Sequence, residues 1–135
     1  MRISRERGSS LFGYSASAGG RISTEVMIGS LIGANFNSTA DQAISLTVGY
    51  RVTKVTVTNA SVNMTTAAGG FYSEAAKAGT AVVAATQVYT ALTSATVTLD
   101  CTIAVVMALS TLYFSLTTGQ GVAATADIRV YGVAP

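Results

Sequence analysis

The chain has 135 residues, the length of one domain and enough for one hydrophobic core. Half the residues are apolar and only 10% are charged, against roughly 25% in an ordinary soluble domain; so sparse a charge protects a surface poorly against association, and partners or copies of the same chain are expected to cover much of it. The net charge of +2 sits in the first seven residues, where Arg2, Arg5 and Arg7 outweigh Glu6, and the neutral remainder offers no basic face to track a phosphate backbone, which argues against nucleic-acid binding.

Residues 1–20, MRISRERGSSLFGYSASAGG, are expected to form a flexible arm, because serine and glycine dominate and no apolar periodicity is sustained. Fully extended, such an arm reaches roughly 65 Å at about 3.3 Å per residue, enough to cross onto a neighbouring subunit. Arg2, Arg5 and Arg7 are its candidate contacts with an acidic partner. The segment has no apolar stretch of the secretory type, so a soluble protein made in a cytoplasm is expected.

Residues 21–135 are expected to form one β-sandwich domain. Strands are predicted over 22–28 and 44–48. The next, over 51–58 (RVTKVTVT), is rich in β-branched residues, and its apolar phase changes between Val52 and Val55, which predicts a bulge or bend. Val62 and Met64 alternate again, and 80–83 adds another strand. Over 84–94, Val88, Tyr89 and Leu92 fit one face of a short helix. The clearest alternation runs over 96–103, with Val97, Leu99, Cys101 and Ile103 opposed to Thr96, Thr98, Asp100 and Thr102. Residues 101–126 carry no charge, but Ser110, Thr111, Ser115 and Thr117 interrupt the run, so buried strands joined by a turn are expected and not a membrane span. Strands over 112–116 and 127–133 complete the pattern. Short strands separated by small-residue links predict an all-β antiparallel sandwich or barrel with at most one short helix.

Few motifs carry chemistry. Gly119-Gln120-Gly121-Val122-Ala123-Ala124 satisfies GxGxxA, but the 11 residues that follow hold no helix and no distant acid, so a hairpin loop is expected there. Without histidine or a GxSxG motif there is no nucleophile–base pair, and six scattered acids make no paired-carboxylate site, so no enzymatic activity is expected. The single cysteine, Cys101, forms no internal disulfide, and neither a metal nor a cofactor is expected. Asn37-Ser38-Thr39, Asn59-Ala60-Ser61 and Asn63-Met64-Thr65 match the glycosylation signal only as chance in a threonine-rich chain. Gly69-Gly70-Phe71-Tyr72 pairs two glycines, suited to close backbone approach, with two aromatics; on a strand one would enter the core and the other face out as an interface anchor.

The densest polar cluster is GANFNSTADQAISL, residues 33–46. Thr39-Ala40-Asp41-Gln42 fits the capping-box form, Asn35 and Asn37 suit a self-bonded turn, and Phe36 would be the apolar plug beneath it. Asn35, Phe36, Asn37, Asp41 and Gln42 are therefore expected to specify the fold, with an interface role second.

Several blocks in order carry a resemblance: residues 33–44, then Val57-Thr58-Asn59-Ala60-Ser61, then Ala67-Ala68-Gly69-Gly70-Phe71-Tyr72, then Leu116-Thr117-Thr118 and 124–132. Over residues 28–133 the chain resembles small virion proteins of tailed bacteriophages, of the capsid decoration (cement) kind; residues 1–27 fall outside the likeness. The resemblance implies a jelly-roll sandwich on the exterior of an icosahedral head, made in the host bacterial cytoplasm. It also implies a homo-oligomer (dimer or trimer) that binds across major capsid protein junctions and stabilises the shell, with neither nucleic acid nor membrane as partner. The alternative expectation is a receptor- or glycan-binding head-fibre or tail module, which needs an exposed aromatic platform with Tyr72, Tyr89 or Tyr131 as its candidates.

Overall fold

The computed structural model describes residues 24–135. The expected arm, with Arg2, Arg5 and Arg7, lies outside the described residues, as does the start of the strand expected from residue 22. Eight strands follow one another: β1 (Val26–Asn35), β2 (Gln42–Ser45), β3 (Arg51–Thr58), β4 (Ala68–Glu74), β5 (Ala78–Val83), β6 (Leu99–Asp100), β7 (Thr111–Thr118) and β8 (Thr125–Val133). They form two four-stranded antiparallel sheets, ordered β1-β8-β3-β6 and β2-β7-β4-β5. First thus pairs with last, second with seventh, third with sixth and fourth with fifth. This is the order of one long hairpin, with the β4–β5 turn at its tip, rolled around itself so that successive paired segments fall in alternate sheets.

Period-two alternation builds the core between the sheets. Ala126, Ile128 and Val130 of β8 face Leu112, Phe114 and Leu116 of β7, all buried. In β3 the inward residues are Val52, Val55 and Val57, an odd spacing that a regular strand cannot present on one face. The register against β8 shifts between Val52 and Lys54, and that bulge brings both valines inward.

The flanks of the sandwich are sealed differently. On one side, the edge strands β1 and β2 are joined by the Thr47 N–H donating to the Ile28 carbonyl at 2.8 Å and by the Gln42 side chain. On the other, residues 97–110 form a strap. Its inward and outward residues alternate as expected, with Val97, Leu99, Cys101, Ile103, Met107 and Leu109 against or in the core. Only Leu99–Asp100 pairs as a strand, not the whole of 96–103. The strap bonds first to β3 (Cys101 N–H to the Val55 carbonyl, 2.9 Å), then to β5 (Ala104 N–H to Val82, 2.8 Å), then to β3 again (Val52 N–H to Met107, 2.9 Å). A chain that shuttles between two sheets cannot hold one ladder.

Three further expectations are corrected. No helix occurs among the described residues; 84–94 runs through turns, because Tyr89 and Leu92 enter the core while Val88 stays exposed. Val62 lies in a bend and Met64 in irregular chain, neither in a strand, although Met64 is fully buried. Gly119–Gly121 is not a hairpin loop, because β7 and β8 belong to different sheets and the segment crosses between them.

Candidate functional site

At one pole of the sandwich three connections meet: 36–41, 59–67 and 119–124. The Asn35 side-chain oxygen accepts from the Asn37 N–H at 2.8 Å, closing an Asx turn. Asn37 in turn accepts from the Gly121 N–H at 2.7 Å. Between them Phe36 is fully buried, its N–H bonded to the Ala124 carbonyl and its carbonyl to the Gln120 N–H, both at 2.8 Å. A Cβ at Gly119 would stand 2.8 Å from the Asn37 carbonyl oxygen, so glycine lets the two connections touch.

Gln42 does not close a capping box, since no helix follows. Its amide accepts from the Asn35 N–H and donates to the Asn35 carbonyl, each at 2.8 Å, taking the place of a missing backbone partner at the edge of β1. Asp41 reaches the β4–β5 tip, where its carboxylate accepts from the Ala76 N–H at 2.6 Å, and the Lys77 ammonium donates to the Thr39 carbonyl at 3.1 Å. Ala76 and Lys77 both have left-handed φ, 61° and 59°, a conformation side chains resist, and these two bonds help hold it.

The Ala76 N–H is the main reason that the Asp41 carboxyl stays below its ordinary value of 3.8, with the Ser115 hydroxyl and the Lys77 charge adding to it. Ser115 Oγ is buried with no partner at hydrogen-bond distance, so it acts on Asp41 as a nearby dipole and not through a formed bond. A carboxyl held low in the fold contributes stability above its ordinary range, lost as the pH falls through the lowered value. Asp41→Asn is expected to melt below the parent at pH 7, with the gap closing at pH 2; equal melting temperatures at pH 7 would count against the role of the charge.

The structure separates Phe71 and Tyr72 from the pole and alters their reading. Phe71 is in the core, its ring 4.9 Å from that of Phe114. Tyr72, paired with Tyr113 on the opposite side of the strand, is only 6% exposed, so the expected outward anchor is covered. Tyr89, another expected platform residue, is fully buried. Of the three tyrosines only Tyr131 is half-buried and open to a partner.

Gln120 escaped sequence reasoning. Its buried side chain accepts from the Thr66 N–H (2.9 Å) and the Ala67 N–H (3.0 Å) and donates to the Asn63 carbonyl (3.3 Å) and Thr65 Oγ (3.0 Å). One side chain thus satisfies the backbone of a connection some 55 residues away. The only signal was a long polar residue between two glycines. Gln120→Leu is expected to cost about 2–4 kcal/mol, because it strands the Thr66 and Ala67 N–H groups, whereas the Asn63 carbonyl keeps its bond from the Thr65 N–H; urea unfolding measures it, and a loss below about 1 kcal/mol would show that water replaces the amide.

The pole therefore performs joinery, and no group of three His, Cys, Asp or Glu residues able to hold a metal occurs among the described residues. Cys101 is buried, and burial pushes its thiol up to about 12, more than the Tyr89 hydroxyl lowers it. Folded protein is expected to react with a thiol reagent at pH 8 only through opening, at least about a hundredfold slower than in urea; fast labelling without denaturant would contradict this burial. A shallow groove of about 300 Å³ lies between Ala84, Thr86, Gln87, Val88, Thr102 and Ala104, with no charged group in its lining. No helix among the described residues is long and apolar enough to cross a membrane. Comparison of the chain with protein-family models, with curated proteins and with solved structures returns no match.

Proposed function

We propose that the chain is a structural protein of a bacteriophage virion that decorates the icosahedral head, binds across junctions of the major capsid protein and stabilises the shell. The observation that supports this most is the rolled-hairpin strand order, β1-β8-β3-β6 against β2-β7-β4-β5, which we read as a jelly roll, an architecture used by viral capsid and lectin domains. The sequence resemblance over residues 28–133 points the same way. Sealed flanks, a pole tied by side-chain amides and a surface with few charges suit a rigid block that works by contact. Such a protein binds the assembled lattice and not its unfolded components, and so stabilises the shell by mass action. We infer further that it acts as a homo-oligomer on the capsid exterior.

The test is addition of the purified protein to heads that lack it. Saturable co-sedimentation and a raised disruption temperature of the heads are expected. Absence of binding at micromolar protein would overturn the reading. The glycan-binding alternative has lost two of its three aromatic positions to burial, Tyr72 and Tyr89. Glycan-array binding abolished by Tyr131→Ala, with heads unaffected, would restore it.

A further inference from the structure

The tip of the β4–β5 hairpin does not continue in line with its strands. Gly70 of β4 pairs with Ser115 of β7, and Gln42 of β2 pairs with Phe114, so Asp41 comes level with Ser115 on the side of β7 away from β4. A straight β4 would carry Ala76 about 20 Å beyond that row. The Ala76 N–H instead donates to the Asp41 carboxylate at 2.6 Å, so the tip bends back across β7. Register shifts between β4 and β5 on either side of Tyr72 supply the bend. Ser115 lies on the outer face over which the tip is drawn, because its neighbours Phe114 and Leu116 point into the core.

Two features oppose this bent position. Ala76 and Lys77 are the central residues of a turn closed by the Ala78 N–H on the Ala75 carbonyl, and both have left-handed φ. Such a turn favours asparagine and glycine, and here an alanine and a lysine bear the strain. The Ser115 hydroxyl is fully buried without a partner, whereas water would satisfy it once uncovered. Little holds the tip down. Residues 74–79 are all exposed, so it buries no apolar side chain of its own. Its links are the Asp41 bond and the Lys77 ammonium on the Thr39 carbonyl at 3.1 Å, both to one connection. Two exposed links set against turn strain and an unpaired hydroxyl bring the closed and open positions close in free energy.

We propose that the β4–β5 tip is a latched flap, which swings open about the bulges beside Tyr72 while the rest of the sandwich stays folded, and uncovers the row of Asp41 and Ser115. Opening breaks the links of Ala76 and Lys77, lets their turn relax and gives the Ser115 hydroxyl to solvent. Both sheets keep their pairing. The device does not depend on the decoration reading.

The test uses two thiols in one molecule. Ser115→Cys places a reporter beneath the flap, and the buried Cys101 reports opening of the core. With a thiol reagent at pH 8, the thiol at position 115 is expected to react at least about tenfold faster than Cys101. Urea below the unfolding transition should leave its rate nearly flat, while the Cys101 rate climbs. Equal rates with equal urea slopes would mean that the tip opens only when the domain unfolds, and would overturn the proposal. Reaction as fast as that of a small free thiol would show that no closed flap covers position 115, and would overturn it equally. Should Ser115→Cys not fold, trypsin acting on the parent replaces it. Cleavage after Lys77 is expected at least about tenfold faster than after Lys54 in β3, and faster still in Asp41→Asn. Equal rates at the two lysines, or an unchanged rate in Asp41→Asn, would overturn the flap.

Discussion

Gly70→Ala is expected to leave no folded protein. Gly70 lies on β4 opposite Ser115 of β7. A Cβ there would stand 2.2 Å from the Val83 carbonyl oxygen and 2.8 Å from that of Ala84. Both obstacles are backbone, so no rotamer change removes the clash. Moving that backbone away would break the pairing of Val83 with Phe71 and the bridge from Val83 to Ile103, which ties the strap to β5. Overpacking a core costs about 1–3 kcal/mol when side chains can adjust; here they cannot, and a domain of this size holds only about 5–15 kcal/mol in reserve. Gly33→Ala is the control. Its φ is +71°, yet no heavy atom lies within 4 Å of the added methyl, so backbone strain of about 1–2 kcal/mol is the whole expected effect. Far-UV circular dichroism and soluble yield separate the two. A Gly70→Ala protein that melts within a few degrees of the parent would show that the β5 backbone yields to the added methyl.

The same Gly-Gly pair shows what the sequence can and cannot disclose. Two adjacent glycines announced a close backbone approach, and β4 does touch its neighbours there. What they touch is set by chain segments distant in sequence, which no local pattern encodes. β7 and β8 were legible because each carries a full alternation, and β3 because it is rich in β-branched residues; even its bulge follows from the odd spacing of Val52 and Val55. Residues 96–103 have the cleanest alternation of all and pair least. Alternation reports burial on one side, and the strap has that, whereas a ladder also needs one continuous neighbour, and the strap has two in turn. Thr39 to Gln42 matched a capping box because the spacing of an acceptor and a return amide is all that motif records. Gln42 applied the same amide to the edge of β1, since the chain enters β2 at once and no helical turn exists to cap. For the pole, the residue types were readable as turn formers, but their partners, Gly121 for Asn37 and Ala76 for Asp41, lie 84 and 35 residues away.

Tyr89→Ala is expected to destabilise the domain by about 3–5 kcal/mol, the range for deleting a large buried aromatic. Tyr89 is fully buried. Its ring meets Phe36 edge-on at 5.1 Å and Phe114 edge-on at 6.3 Å, while Phe114 also lies 4.8 Å from Phe36 and 4.9 Å from Phe71. Edge-to-face contacts add to the burial of area, and Tyr89 is the member of this cluster that the turn segment 84–94 contributes to the core. Removing it leaves a void between the polar turn around Phe36 and the Gly69–Gly70 stretch, two regions that share no other aromatic bridge from that segment. The melting temperature is expected to fall by roughly 10–20 °C. Tyr89→Phe isolates the hydroxyl, which donates to the Gly69 carbonyl at 3.0 Å. That change keeps the ring and forfeits one buried hydrogen bond, so about 1–2 kcal/mol is expected. Burial holds the Tyr89 hydroxyl well above its ordinary value of 10.0. Its contribution is therefore intact below pH 10 and is lost as the pH rises towards the raised value, so the parent should lose stability in alkali more steeply than Tyr89→Phe. Parallel losses in the two proteins above pH 10 would mean that other groups drive alkaline unfolding and that the hydroxyl bond contributes little.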